Sequence, residues 1–332
     1  MKRSVWVWLR TLGGLAILAV LVWHLGSRAF LDGLRRIDAG ALLAALGIGL
    51  LTTVFSAWRW CLVARALGLR LPLGRAVADY YRALFLNAAL PGGVLGDVHR
   101  AVRHGQSARD LGRGVRAVVL ERTAGQLVLF VAGAVVLLVR PSPVLAQAGR
   151  SLGAPGAVLA AAAAGALALG VACWSRRGAS RGARAVSATL AEARRALFAR
   201  GSRTGVALSS AVVLAGYLGM FLLAARVAGV GAPSAELVPL AVLALLAMAL
   251  PLNVGGWGPR EGVAAWAFGA AGLGAAQGLT TAVVYGVLAF AASLPGAGVL
   301  VVRGVAGLRA GRPQIELEER VLAEQAAPQR RT

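Results

Sequence analysis

The feature that most constrains this chain is a series of apolar runs, each long enough to cross a lipid bilayer. A helix needs about 20 apolar residues to span roughly 30 Å of hydrocarbon. Tryptophans such as Trp23, Trp58 and Trp174 stand at the ends of runs, where an interfacial aromatic belt would place them. The pattern predicts an all-α polytopic membrane protein with about six full transmembrane helices, at 7–26, 41–60, 117–139, 157–174, 206–225 and 277–302.

The charge balance distinguishes a membrane protein from a nucleic-acid-binding one. Only 14% of the residues are charged, whereas soluble domains carry about 25%. The 35 basic residues outnumber the 13 acidic ones, an excess that would also suit nucleic acid. The arginines, however, cluster between the apolar runs, as topology signals do. We therefore expect a bilayer around this chain and no nucleic-acid partner.

The arginine clusters also predict the orientation of the runs. Clusters lie before the first run, after the second, before the third, in the loop 175–205 and after the last run. By the positive-inside rule these regions face the cytoplasm. The loops 27–40, 140–156 and 226–236 carry a much smaller basic excess and fit the outside. The expected location is the bacterial cytoplasmic membrane, with both termini on the cytoplasmic side.

Two further apolar segments are interrupted by proline and glycine. Segment 76–95 contains Pro91, and segment 237–274 contains Pro251. The charge assignment requires 76–95 to enter and leave on the cytoplasmic side and 237–274 to do so on the outer side. Both are therefore predicted to be broken, re-entrant helices that penetrate from opposite faces. The alternative is two proline–glycine kinks in ordinary membrane helices.

The two interruptions share a sequence pattern. At an offset of 160 residues, positions 89–100 and 249–260 both read A-L-P-x-x-V-x-G-x-x-x-R. Together with the opposite orientations, this predicts two inverted repeats, a symmetry typical of transporters whose binding site lies near the membrane midplane. The predicted regions are 1–40 with the first span, 41–139 as repeat 1, 140–205 with the fourth span and basic loop, 206–302 as repeat 2, and 303–332 as a charged tail.

Charged residues inside the hydrocarbon are costly and therefore mark candidate functional sites. Arginine forks at the breaks suit a phosphate, while nearby carboxylates would neutralise those arginines or carry a coupling proton. The alternative is a set of buried ion pairs that only hold the broken segments in place. The candidate substrate-binding residues are Asp97, Arg100, Glu121, Arg122, Asn253, Arg260 and Glu261. The residues predicted to break the helices are Pro91, Gly92, Gly93, Gly96, Pro251, Gly255, Gly256 and Gly258.

Enzyme motifs are not found in the sequence. It contains no G-x-S-x-G, P-loop or H-E-x-x-H pattern, and the three histidines have no companion metal motif. We expect no catalytic residue, no metal and no cofactor.

The motifs at these positions resemble a family of bacterial and archaeal membrane proteins typified by the transmembrane flippase domain of lysylphosphatidylglycerol synthase. They are L-P-G-G-V-x-G-D-x-x-R at 90–100, E-R-x-x-G-Q at 121–126 and L-P-x-N-x-G-G-x-G-x-R-E at 250–261. The Arg59 region after the second span also matches the family. The resemblance implies lipid translocation, with the first and last blocks forming a central cavity. The bifunctional synthases continue into a soluble aminoacyltransferase domain, whereas here 303–332 follows the last run.

The sequence therefore predicts a flippase-like protein that moves a phospholipid or a polyprenyl-linked glycolipid between leaflets. Its expected partners are an anionic lipid or lipid-linked substrate, the bilayer and enzymes of lipid synthesis. Two other readings stay open at this point: a membrane-bound lipid-modifying transferase, and a subunit that accompanies such an enzyme without transporting anything.

Overall fold

A computed structural model describes residues 35–90, 93–139, 202–248 and 258–302, and it contains no β-strand within those ranges. The predicted spans at 7–26 and 157–174 lie outside the described residues. Eight helices occur in the described ranges: α1 Ala39–Ala66, α2 Leu73–Ala89, α3 Leu95–Ser107, α4 Leu111–Val139, α5 Arg203–Val227, α6 Ser234–Met248, α7 Pro259–Ala270 and α8 Ala275–Ser293. A turn at Leu294 follows α8, after which helical structure continues to Val302.

Four stretches of helix are long and apolar enough to cross a membrane: Ala39–Ala66, Leu111–Leu137, Arg203–Val227 and Ala275–Val302. They correspond to the predicted runs at 41–60, 117–139, 206–225 and 277–302. Two of them extend beyond the predicted run: α1 continues past residue 60 to Ala66, and α4 begins at Leu111, before residue 117. The charged residues near these two ends of the runs, Arg59 and Glu121, are buried inside the protein, so they do not end the helix.

The surface of the spans is apolar in the way that lipid contact requires. Large aliphatic side chains on α1 and α4 point outward; Leu43 is 69% exposed and Val131 is 63% exposed. Extended apolar surface of this kind is unusual on water-soluble monomers. The all-helical, multi-pass part of the prediction is therefore confirmed for the described residues.

The first broken segment is a helical hairpin formed by α2 and α3. In a straight helix, Ala83 and Gly96 would be separated by about 20 Å. Instead, a Cβ added to Gly96 would lie 2.1 Å from the Ala83 carbonyl oxygen, so the two backbones touch and only glycine fits. At the other end of the hairpin, Arg75 Nη2 donates to Ser107 Oγ at 2.5 Å. The start of α2 and the end of α3 therefore lie side by side.

The second broken segment also consists of two helices that pack together, α6 and α7. Helix α7 begins with Pro259 directly after Gly258, whose φ of 117° favours glycine. The Gly258 amide donates to the Glu261 carboxylate at 2.6 Å, which caps the start of α7. Thus a helix–break–helix arrangement occurs at both predicted positions.

Helix α1 joins the two broken segments because it packs against both apolar clusters of the core. Its C-terminal half, with Ala57 and Trp60, packs with α2, α3 and α4. Its N-terminal half, with Ala41 and Ala45, packs with α5 and α8, in a cluster to which α6 and α7 also contribute. Small residues allow close contacts along it: a Cβ on Gly49 would lie 2.5 Å from the Ala292 methyl group. Such small-residue contacts are typical of membrane helix interfaces.

The predicted break residues are placed only in part. Gly93 has a positive φ of 60°, Gly96 is the close contact within the hairpin, and Gly258 precedes α7. The remaining predicted break residues lie outside the described residues, together with the candidate Asn253: Pro91, Gly92, Pro251, Gly255 and Gly256.

Candidate functional site

A cavity of about 940 Å³ lies between the spans and the two broken segments. That volume is near the upper end of the roughly 300–1,000 Å³ of small-molecule pockets. Its walls are largely aliphatic and aromatic, with contributions from all helices from α1 to α8. Representative apolar lining residues are Leu84, Val119, Leu127, Phe130, Leu214, Leu245 and Phe290.

Charged and polar side chains also line this largely apolar cavity. Among the described residues, the charged side chains in its lining are Arg59, Asp97, Arg122 and Arg260. Neutral polar side chains accompany them: Tyr80, Asn87, Gln126, Ser210, Tyr217 and Tyr285. A few convergent polar groups in an apolar pocket are the usual composition of a binding site.

Glu121 of α4 is fully buried and joins α1 to α3 through two arginines. Arg59 Nη2 donates to Glu121 Oε1 at 2.6 Å, and Arg100 Nη2 donates to Oε2 at 3.0 Å. The Tyr80 hydroxyl adds a third donor at 3.3 Å. Arg59 also reaches α5, where its Nη1 donates to Ser210 Oγ at 3.1 Å. Glu121 and its partner Arg59 therefore link three spans, α1, α4 and α5, to the α2–α3 hairpin.

Arg100 of α3 is held from several directions at once. Its guanidinium lies between two aromatic rings, 4.5 Å from the Trp60 centroid and 4.3 Å from the Tyr80 centroid. It donates to Asp97 at 2.9 Å as well as to Glu121. The side chain is completely inaccessible, and it does not line the cavity. Arg100 is thus placed behind the cavity wall.

Trp60 also contacts a histidine at the end of the hairpin that is remote from the break. The His104 imidazole packs edge-on against the Trp60 ring, with centroids 5.2 Å apart. Burial lowers the pKa of His104 below its usual value, and Arg75 lowers this pKa further. His104 is therefore neutral at pH 7 and adds no positive charge beside Arg100.

Asp97 connects the hairpin to the cavity and to α4. Arg122 Nη2 donates to Asp97 Oδ2 at 2.5 Å, and Asn87 Nδ2 donates to the same oxygen at 2.9 Å. The Asn87 amide oxygen in turn accepts the Gly96 backbone N–H at 2.7 Å. Asn87 therefore ties the last turn of α2 to the first turn of α3 across the break and orients Asp97 towards Arg122.

Arg122 is the most accessible arginine of this network. Its side chain is 40% exposed, compared with 4% for Arg59. Its Nε is buried and has no hydrogen-bond partner among the described residues. The same is true of the amide oxygen of Gln126, one turn further along α4. This face of α4 consequently offers unused polar atoms beside the cavity.

The second break contributes a smaller group. Arg260 and Glu261, the first charged residues of α7, form a buried pair through Arg260 Nε at 2.9 Å and through Nη2. The Arg260 guanidinium lies 4.9 Å from the Tyr285 ring centroid on α8. Arg260 and Tyr285 both line the cavity, while Glu261 is fully buried behind them.

The candidate residues are therefore brought together, although in different positions relative to the cavity. Asp97, Arg122 and Arg260 line it, whereas Arg100, Glu121 and Glu261 lie behind it. Their predicted role in substrate binding stays a prediction.

Three residues that donate directly to Glu121 or Asp97 were not among the sequence-predicted site residues: Arg59, Tyr80 and Asn87. Arg59 could have been found, because it is a charged residue inside the apolar run 41–60. Tyr80 and Asn87 have no comparable signal, since a tyrosine or an asparagine near the end of a span is equally suited to the membrane interface. Their role depends on the fold of the hairpin, which places them against Glu121 and Asp97.

Comparison with known proteins identifies the family. The model of the family described as lysylphosphatidylglycerol synthase TM region matches residues 7–296, which is most of the chain. The chain therefore belongs to this family of membrane proteins. A search of curated proteins and a search of solved structures each gave no match.

Proposed function

We propose that this member of the lysylphosphatidylglycerol synthase TM region family translocates an anionic lipid between the leaflets of the bilayer. The lipid is a phospholipid or a polyprenyl-linked glycolipid. The observation that carries the proposal is the cavity of about 940 Å³, whose lining combines apolar walls with Arg59, Arg122 and Arg260.

The cavity has the chemistry that such a substrate needs. A charged headgroup at the bilayer centre is costly because hydrocarbon cannot solvate it. Arginine side chains bind phosphate oxygens bidentately. Arg122 and Arg260 can therefore replace the hydrogen bonds with water that a phosphate loses when it leaves the membrane surface. The aliphatic and aromatic walls are suited to the glycerol backbone and the start of the acyl chains. A headgroup could thus cross the membrane without entering the hydrocarbon.

The two helical breaks support a transport cycle. Transporters with inverted repeats place discontinuous helices around a midplane site and alternate access by moving one repeat against the other. Here each break brings one charged residue to the wall of the same cavity, Asp97 from α3 and Arg260 from α7. Each is paired with a charged residue behind that wall. We propose that the α2–α3 hairpin and the α6–α7 pair are re-entrant from opposite membrane faces.

Lipid exchange in proteoliposomes tests the function. The full chain is reconstituted with tail-labelled anionic lipids, and movement between leaflets is measured by quenching of the outer leaflet. Exchange should exceed that of empty vesicles and should fall at least about tenfold in Arg122→Gln, since a hydrogen bond to a charged group contributes about 1.5–3 kcal/mol. Arg113→Gln is the matched control, because Arg113 is an exposed arginine of the same helix. Exchange equal to that of empty vesicles across a broad lipid panel contradicts the proposal.

Cysteine labelling tests the re-entrant topology. In a background without Cys61 and Cys173, single cysteines replace Gly74 and Gln106 on the hairpin, and Ser234 and Gln277 around the second break. All four positions are exposed. A membrane-impermeant thiol reagent should label the first two from the cytoplasmic side and the last two from the outside. Labelling of either pair from opposite sides would convert that segment into a full span and remove the inversion.

The alternative function, a membrane-bound lipid-modifying transferase, requires a carboxylate that is free to act as a base. Among the described residues, Asp97 is the carboxylate that lines the cavity. It accepts hydrogen bonds from Arg100, Arg122 and Asn87, which stabilise the ionised carboxylate and occupy its oxygens. We therefore favour translocation over the transferase function. Donor-substrate turnover in detergent that is abolished by Asp97→Asn would reverse that order.

A further inference from the structure

We propose that the translocated headgroup carries one net negative charge, as a phosphodiester does, and that the surplus charge beside Asp97 sets this preference. The inference rests on the proposed function and narrows its substrate class. It follows from how the arginines and carboxylates around the cavity are paired.

The network at the first break has one more positive than negative charge. Three arginines, Arg59, Arg100 and Arg122, share the two carboxylates of Asp97 and Glu121. His104, next to Trp60, adds no charge because burial lowers its pKa. At the second break the Arg260–Glu261 pair is balanced. The described residues that form the two groups therefore hold a surplus of one positive charge.

The two breaks themselves do not change this balance. Residues 91–92 are Pro and Gly, and residues 249–257 contain neither acidic nor basic side chains. The chain between the described ends of each break is therefore uncharged. The surplus is therefore carried by the five network residues on α1, α3 and α4.

The surplus is located at Arg122. Glu121 is fully buried, and both of its oxygens accept hydrogen bonds from Arg59 and Arg100. Asp97 is shared between Arg100 and Arg122, and Arg122 donates one hydrogen bond to it, whereas Arg59 donates two to Glu121. Arg122 is also the arginine of this network with an exposed side chain, at 40%, whereas Arg100, which likewise has an unpartnered Nε among the described residues, is fully enclosed. An anion entering the cavity would therefore meet Arg122 before the other members of the network.

A single negative charge matches this site better than zero or two. An unmatched charge is costly in a region of low dielectric, so the favoured ligand is the one that makes the occupied site neutral. A phosphodiester monoanion does so. A zwitterionic headgroup brings its own ammonium group and leaves the surplus in place. A phosphomonoester dianion reverses the imbalance.

Exchange rates of lipids with identical tails test this preference. Full-length protein is reconstituted with tail-labelled phosphatidylglycerol, phosphatidylcholine or phosphatidic acid, the last measured at pH 8, where its monoester approaches two charges. Phosphatidylglycerol should exchange fastest, by about tenfold over the other two, as expected for one charge-assisted hydrogen bond. Equal rates for all three lipids would overturn the inference while leaving translocation intact. Rates equal to empty vesicles for all three would remove the proposed function itself.

The Asp97→Asn variant tests the origin of the preference. It keeps the shape of the side chain but raises the surplus to two positive charges, so the fastest substrate should become phosphatidic acid. Asp110→Asn is the control, since Asp110 lies in an exposed pair at the start of α4, and its order of rates should match the wild type. An unchanged order in Asp97→Asn overturns the inference.

A binding measurement covers the case in which Asp97→Asn no longer transports. Affinities of the same lipids in short-chain form are measured on monodisperse protein in detergent. The tightest ligand should change from phosphatidylglycerol in the wild type to phosphatidic acid in the variant. Identical order of affinities in the two proteins contradicts a role for Asp97 in charge selection.

Discussion

The two helical breaks have the same sequence pattern but very different surroundings. At the first break, five charged residues on α1, α3 and α4 form one network. At the second break, Arg260 and its neighbour Glu261 form a pair within a single helix turn. The close backbone contact also differs: Gly96 touches Ala83 inside the first hairpin, whereas Gly278 of α8 touches Ala264 of α7.

The difference indicates a division of roles within the cavity. The first break is tied to two spans through Glu121, so its position depends on charges that are far apart in the sequence. The second break holds its charged pair locally, and Glu261 also caps α7. The first break carries the surplus charge and the accessible Arg122, while the second presents a balanced Arg260. Substitutions at equivalent places should therefore have unequal effects.

The largest expected difference concerns the two buried glutamates. Glu121→Gln leaves Arg59 without a counter-charge and leaves Arg100 only the carboxylate of Asp97, which it shares with Arg122. It should reduce the free energy of unfolding by about 3–5 kcal/mol, the cost of breaking a buried pair. Glu261→Gln leaves one arginine and retains an oxygen for the Gly258 amide, so its effect should be smaller by about 1.5–3 kcal/mol. Both are measured by equilibrium unfolding in mixed micelles. Equal losses would show that the charge network at the first break contributes no more to stability than the Arg260–Glu261 pair at the second.

The glycine contacts should give an intermediate effect. Gly96→Ala forces a methyl group against the Ala83 carbonyl, and Gly278→Ala does the same at Ala264, whose oxygen would lie 2.3 Å away. Overpacking of this kind costs about 1–3 kcal/mol. Gly96→Ala, unlike Gly278→Ala, should alter labelling of a cysteine at position 106, because of these two glycines Gly96 is the one that lies within the hairpin. Gly74→Ala, with no atom within 4 Å of the added methyl, should be neutral or stabilising.

The smallest effect is expected at the two tyrosines. Tyr80→Phe retains the ring over Arg100 but removes the 3.3 Å hydrogen bond to Glu121, and it should lower the free energy of unfolding by about 0.5–1.5 kcal/mol. Tyr285→Phe retains the ring over Arg260, and its hydroxyl has no such link to Glu261, so a smaller loss is expected. A larger loss in Tyr285→Phe would show that the tyrosine hydroxyl at the second break contributes more to stability than the one at the first.

The amino-acid sequence determined the class of protein and the positions of its interruptions. The apolar runs predict the four described spans because burial in lipid depends on composition and length, which are local properties. The proline–glycine clusters predict both breaks for the same reason, since backbone restrictions act within a few residues. The family motifs at 90–100, 121–126 and 250–261 also mark the segments that meet at the cavity, although their role as a binding site stays a prediction.

Only the tertiary structure decided which charges are paired and which face the cavity. Arg100 and Arg122 look equivalent in the sequence, yet Arg100 is enclosed by Trp60 and Tyr80 while Arg122 opens to the cavity. Arg59 becomes the partner of Glu121 across 62 positions of sequence. These pairings depend on the packing of helices that are far apart in the sequence. An ion pair forms in a region of low dielectric only between side chains that the fold brings within about 3 Å of each other.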